Sequence, residues 1–197
     1  TLSYQEGAQA IKWISDGSNK YEMDISDRNQ RGTTITLYVS EDGEEYLDEF
    51  KMREILNKYC YFMPYEIYLE DAAAKKDKKD DSPKPINDTQ PLWLKNPKDC
   101  TDEEYKEFYK KVFMDFNDPL FWVHLNMDYP FKLKGILYFP KLRHEFETIE
   151  GQVKLYNNQV YVADNIKEVI PEFLLLLKGT IDCPNLPLNV SRSFLQN

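Results

Sequence analysis

Between Asp71 and Thr89 the chain reads DAAAKKDKKDDSPKPINDT, a run of alternating charges with prolines at 83 and 85 and hardly a large apolar side chain. Such a stretch buries too little surface to offset the entropy lost on ordering it. Residues 71–90 therefore read as a charged linker, with a solvated helix over Ala72–Lys79 as the alternative. Any core must be built by the flanks, Thr1 to Glu70 and Pro91 to Asn197. Of the 197 residues, 42% are hydrophobic and 14% aromatic, which is enough apolar material for a real core.

The first flank opens with a stretch of mixed period. After Arg31-Gly32-Thr33, the run Thr34–Val39 alternates between a glycine and Glu41-Asp42-Gly43, which predicts a strand. From Glu44 to Tyr59, apolar residues at Tyr46, Leu47, Phe50, Ile55, Leu56 and Tyr59 follow helical spacing. Pro64 then separates this helix from a short final strand at Tyr65–Leu69. A β-α-β segment this small leaves open sheet edges that want neighbours.

The second flank carries a capping box, Thr101-Asp-Glu-Glu104, in which threonine and glutamate satisfy each other's free N–H groups. It predicts a helix from Asp102 to about Met114, with Tyr105, Phe108, Tyr109 and Val112 on one stripe. Strands are predicted at Leu133–Phe139, Val153–Tyr156 and Val160–Val162. Asn157-Asn158-Gln159 is the turn between the last two, because asparagine tolerates positive φ. Pro171 makes Ile166–Leu177 a short helix or turn followed by a buried run. Gly179–Ile181 reads as a further strand, Asp182–Leu188 as a loop, and a last helix starts near Ser191. The expected fold class is α/β, with α+β elements around a mixed sheet.

Several function classes are excluded or disfavoured by composition. A net charge of -9, from 34 acidic and 25 basic residues, does not suit a protein that holds a nucleic-acid backbone. Cys60, Cys100 and Cys183 are odd in number, widely spaced and far in sequence from His124 and His144, so neither a disulfide framework nor a metal site is expected. The longest apolar run, Phe173–Leu177, is far too short to cross a membrane. No leader pattern opens the sequence, and the expected location is the cytoplasm. His124 and His144 are expected at the surface or satisfied in loops, with no partner that makes either a general base. Phe121-Trp122, beside Asp118-Pro119, is the best candidate for a partly exposed aromatic pair that could meet an unfolded chain.

The chemistry concentrates at the end, in LPLNVSRSFLQN from Leu186 to Asn197. Asn189 or Ser191 can cap the last helix, which places Arg192 in its first turn, where a cation opposes the macrodipole. A planar, permanently charged guanidinium among free backbone N–H groups is a ready anion site. Gln196 lies four residues on, on the same helix face. The plainer reading is a surface ion pair for Arg192 and a solvated Gln196.

Pro91-Leu-Trp-Leu-Lys-Asn-Pro97, Glu103-Glu-Tyr-Lys-Glu-Phe-Tyr109, Asp118-Pro-Leu120, Gly135-Ile-Leu-Tyr-Phe-Pro140 and Val153-Lys-Leu-Tyr156 resemble the start of the middle domain of the ninety-kilodalton heat-shock chaperone ATPases. Leu186-Pro-Leu-Asn-Val-Ser-Arg192 with Leu195-Gln196 is the most specific match. Arg31-Gly-Thr33 and the helix and strand from Lys51 to Leu69 resemble the tail of that family's ATP-binding domain. The short linker points to the bacterial branch, the high-temperature protein G type.

The resemblance implies residues 1–70 as the C-terminal part of the ATP domain, 71–90 as its charged linker and 91–197 as the N-terminal part of the middle domain. It implies that Arg192, assisted by Gln196, reaches the ATP γ-phosphate, that Thr33 lies at the adenine end of the pocket and that Tyr161 helps dock the two domains. The parent would be a homodimeric, ATP- and Mg2+-dependent folding chaperone acting on unfolded or partly folded clients. Its dimerisation domain and the first half of its nucleotide pocket do not occur here, so this segment is expected to bind no cofactor and to be inactive alone. Ser193 stands where the family usually has a glutamate, so any role of that acid does not carry over. The alternative is a protein-interaction module in which Arg192 is structural.

Overall fold

The computed structural model describes residues 1–72, 84–129, 132–141, 151–165 and 176–185. The chain divides into two compact units, Thr1–Glu45 and Tyr46–Asn197. Both helices and strands are present, with a mixed five-stranded sheet and a separate two-stranded one, which is the expected α/β class.

The first unit is built on an antiparallel hairpin, β1 (Ile11–Ile14) and β2 (Glu22–Ile25), in register Ile11↔Ile25 to Ile14↔Glu22. Its connection turns at Gly17, whose φ of 88° suits glycine, beside an Asp16 carboxylate that accepts from Ser18 N at 2.9 Å. Leu2 bridges Gly32, and the Thr1 ammonium donates to Ile11 O at 2.8 Å. No regular strand forms at 34–39, contrary to the alternating pattern there. The run has no partner ladder, and Ile35, Leu37 and Tyr38 are 79%, 80% and 96% exposed. Alternation describes a side chain's preference for a sheet surface; the strand itself needs a neighbour.

The second unit opens with α1 (Glu49–Tyr59), capped by Asp48, whose carboxylate accepts from Lys51 N at 2.9 Å. A regular strand at 65–69 is likewise missing, yet this segment is tied down. Asn87 Nδ2 donates to Met63 O and Tyr65 O, its Oδ1 accepts from Ile67 N at 2.8 Å, and Ile86 N donates to Ile67 O. The end of the charged stretch thus packs back on the chain just after α1. Composition divides the chain at 71–90, whereas contacts divide it ahead of α1. Phe62, only 2% exposed, shows why: it lies against Trp93, Phe108 and Tyr156 in the core of the second unit.

That core sits on the five-stranded sheet β3-β4-β7-β5-β6, formed by β3 (Phe121–Met127), β4 (Leu133–Phe139), β5 (Gln152–Asn157), β6 (Val160–Asp164) and β7 (Lys178–Asp182). Only β5 and β7 pair in parallel. Across one face, Trp122, His124, Ile136, Tyr138 and Tyr156 meet α2 (Asp102–Phe113) and the turn at Leu92–Leu94. The opposite face gathers Leu137, Val153, Leu155, Val162 and Ile181. The glycines at 135 and 179 allow β4 and β7 to lie close on that face, since an added Cβ would collide with the backbone of Thr180 or with Leu137 and Ile136 O.

α2 begins where the capping box places it, with Thr101 Oγ1 accepting from Glu104 N at 3.2 Å and Glu104 Oε2 accepting from Thr101 N at 2.9 Å. It stops at Met114, a left-handed cap with φ 52°. Its stripe buries Tyr105, Phe108 and Tyr109.

Candidate functional site

Arg192 and Gln196 lie outside the described residues, as do His144 and the helix predicted near Ser191. What the structure does describe is the platform from which their segment departs, the end of β7 and the turn beside it. Asn158 and Gln159 carry φ of 50° and 66°, a two-residue hairpin turn of the kind expected from Asn157-Asn158-Gln159. Asp182, 5% exposed at the end of β7, accepts from Gln159 N at 3.0 Å and so caps this turn. Buried Asn157 donates through Nδ2 to Cys183 O at 3.1 Å and Pro184 O at 3.2 Å, and Cys183 N donates to Tyr156 O at 3.0 Å.

Burial pushes the Asp182 carboxyl up, against the lowering pull of Gln159 N–H, the Trp93 indole, Asn158 N–H and Lys134. Neither Trp93 Nε1 nor Asp182 Oδ1 has a partner within hydrogen-bond geometry, so the Trp93 contact with Asp182 is electrostatic rather than a formed hydrogen bond.

The other end of β7 is fixed to the end of α2. Lys178 Nζ donates to Asp115 Oδ2 at 2.7 Å, and that oxygen also accepts from Tyr109 OH at 2.8 Å. Burial alone would raise the Asp115 carboxyl; Lys178, Tyr109 and Asn117 outweigh it and hold it well below the usual carboxylate range. Lys154 Nζ donates to Val112 O at 3.1 Å, where the helix dipole favours a cation, and burial lowers its pKa. Sequence reading missed Asp115, Lys178, Asn157 and Asp182 as a set. Asn157 was legible as a turn former, but the Asp115–Lys178 pair spans 63 residues and leaves no local signal.

Tyr161 in β6 is half-buried, its ring set edge-on against Tyr59 of α1 at 5.6 Å and Tyr156 at 5.9 Å. Burial, followed by Asp164, pushes its hydroxyl pKa up. The Phe121-Trp122 pair splits across the sheet. Phe121 is 50% exposed and stacks on Phe139 at 4.0 Å, whereas Trp122 is half-buried and stacks on Tyr105 at 5.0 Å. Thr33, in the first unit, is exposed and its hydroxyl lies 2.7 Å from that of Thr1.

His124 is in a strand, not a loop, and fully satisfied. Its Nε2 faces Trp93 O at 3.3 Å and its Nδ1 faces Tyr105 OH at 2.8 Å. A carbonyl only accepts, so Nε2 carries the proton and Nδ1 accepts from the tyrosine. Burial lowers its pKa, opposed by the Trp93 carbonyl and aided by Lys134.

A groove of about 400 Å3 runs between Pro91–Lys95 and α2. Its two lysines are engaged, Lys95 with Glu104 at 2.7 Å and Lys111 with Asp88 at 2.8 Å, so neither is left to hold a phosphate. Among the described residues no group of three or more His, Cys, Asp or Glu side chains could hold a metal, so they do not fit a Mg2+ site. No helix among them is long and apolar enough to cross a membrane.

The sequence profile of the Hsp90 protein family matches residues 70–197. The chain belongs to the Hsp90 family. Within that family it is 46% identical over its whole length to a "Chaperone protein htpG" of Bacteroides fragilis and 47% identical to the corresponding protein of Bacteroides thetaiotaomicron. It is 35% identical over 94% of its length to "Chaperone protein HtpG" of Fusobacterium nucleatum. The chain spans 29% of the length of the two Bacteroides relatives and 30% of the Fusobacterium one.

Proposed function

We propose that this chain is part of an ATP-dependent molecular chaperone, and that it supplies the arginine that senses the γ-phosphate together with part of a client surface. The observation that carries the reading is the Hsp90 family match over 70–197, which includes Leu186–Arg192. Identity of 46%, over the whole of this chain and 29% of the relative, to a protein named as a chaperone supports it from a second side.

In this reading residues 1–70 belong to the ATP domain, with Thr33 at the adenine end, and 91–197 to the middle domain. Tyr161 docks the two. Its edge contact with Tyr59 favours that role, because it joins the helix before the linker to the sheet after it. Arg192 and Gln196 act on the terminal phosphate, ATP and Mg2+ being held by parts of the parent protein that this chain does not contain. The parent works in the cytoplasm as a homodimer on unfolded clients, and Phe121 offers them an outward aromatic ring.

A guanidinium that meets phosphate charge only as transfer proceeds accelerates the reaction without tightening the ground state. Arg192→Ala in the full-length protein is therefore expected to lower ATP turnover about a thousandfold, the range of arginine fingers, with a smaller change in KM. Unchanged turnover would leave the chain a protein-interaction module in which Arg192 is structural.

A further inference from the structure

We infer that the outer edge of β3 takes an added strand: an extended, uncharged segment of a partly folded client, paired along Phe121–Met127. The inference rests on the reading of Phe121 as client surface and adds to it how the client is held.

The five-stranded sheet has two edge strands, β3 and β6, and only one of them is protected. An unpaired edge is a template for another chain, and folds blunt it with shortness, charge, a bulge or a cover. β6 shows all four. It has five residues and ends in Asp164, its pairing with β5 shifts register between Leu155 and Tyr156, and Tyr59 of α1 lies edge-on against Tyr161 at 5.6 Å. β3 shows none of them among the described residues. Its seven residues, FWVHLNM, include no Asp, Glu, Lys, Arg or Pro, and they pair with β4 in unbroken register from Phe121↔Phe139 to Met127↔Leu133.

The side chains define the strand that fits. Phe121, Val123 and Met127 alternate onto one face and stand 50%, 43% and 41% exposed, and Phe121 is held at the edge by its stack on Phe139. An incoming strand with an apolar residue at every second position covers this strip while its backbone satisfies the bare N–H and C=O row of β3. A charged side chain placed there would lose water and find no countercharge in β3, so the segment is uncharged.

The size of the edge separates a client from a second copy of the chain. Seven residues of strand are about 24 Å long and a sheet layer is about 10 Å deep, so the edge offers on the order of 250 Å2 to a partner. A stable dimer buries about 800 Å2 on each side, more than this edge provides. It suits a client bound weakly and released.

The test uses the full-length protein and a fluorescein-labelled peptide of alternating valine and threonine, with a lysine beyond each end for solubility. Its counterpart is methylated on every backbone nitrogen, which keeps the side chains and removes the donors. Fluorescence anisotropy should show the methylated peptide binding at least about tenfold more weakly, and Val123→Lys should weaken the unmethylated one by a similar factor. Should Val123→Lys not fold, Met127→Lys, at the end of the strand, serves in its place. In hydrogen exchange, alternate amides of Phe121–Met127 should slow when the unmethylated peptide binds, with those of β6 unchanged.

Equal affinity for the two peptides, with both weakened by Phe121→Ser, would overturn strand addition and leave Phe121 as a client surface. Binding of neither peptide would overturn the client surface, and this inference with it. Slow exchange of every β3 amide before any peptide is added would mean that the parent's own chain covers the edge. Loss of self-association in Val123→Lys, read by sedimentation, would assign the edge to a second copy. Either of these last two results overturns the inference.

Discussion

The two units handle apolar side chains in opposite ways. In the second, Trp93 and Phe62 are 1% and 2% exposed and pack with five further buried aromatic rings on one sheet face. In the first, Trp13, Tyr21, Met23 and Ile25 stand 61%, 62%, 61% and 61% exposed on a two-stranded hairpin, and Ile35 to Tyr38 extend beside no partner. Both stretches have the composition of a core. Only one has the layers to make one, because a lone hairpin cannot bury a face by itself. Apolar content measures a demand for burial; strand number and a covering helix determine whether that demand is met.

This contrast can be broken most directly at its tryptophans. Trp93→Ala should destabilise the second unit by about 3–5 kcal/mol in urea unfolding, the usual range for emptying a large aromatic site. If Trp93→Ala cost no more than an exposed substitution, the aromatic cluster would not be the core. Next in size is Lys178→Met, which takes the 2.7 Å ion pair with Lys178 away from the Asp115 carboxylate. Both side chains retain some exposure, 19% and 17%, so the loss should be about 2 kcal/mol rather than the full penalty of a buried unpaired charge.

A smaller effect should follow from pH. His124 is neutral in the fold and its pKa is lowered from 6.5, so below that pH the unfolded chain binds more protons than the native one. Stability of the second unit should be complete above pH 6.5 and decline as pH falls toward the lowered native value, and His124→Gln should flatten that slope. An unchanged slope between pH 7 and 5 in His124→Gln would remove the histidine from the account. The smallest change belongs to the first unit: Trp13→Ser should shift stability by no more than about 0.5 kcal/mol, as exposed positions do. A larger shift in the isolated chain would show that the hairpin face is covered after all.

Where sequence and structure agree, the signal was local. The capping box at Thr101 set the start of α2, the Asn157–Gln159 turn set the β5–β6 hairpin, and β4 and β7 were found within a residue or so of their observed ends. Where they part, the deciding partner was distant. Phe121-Trp122 was read as a partly exposed aromatic pair and opens an edge strand, Phe121–Met127, because the pairing Phe121↔Phe139 is invisible to composition. Asn87 looked like linker until Met63, Tyr65 and Ile67 offered it three backbone bonds. Arg192 was singled out by its motif and lies outside the described residues, whereas the contacts of Asp182 and Asn157 became visible only once β7 was seen lying beside β5.

The placement of β7 has a consequence for how the molecule is made. Among the described strands it comes last in sequence yet occupies the middle of the sheet, between β4 and β5. During synthesis two separate hairpins, β3–β4 and β5–β6, must wait on the ribosome with their inner edges bare until Asp182 has emerged. Closing the sheet then requires a long-range insertion, the slow and aggregation-exposed kind of step. A nascent chain that waits for β7 in this way keeps strand edges bare for longer than one whose strands pair in sequence order.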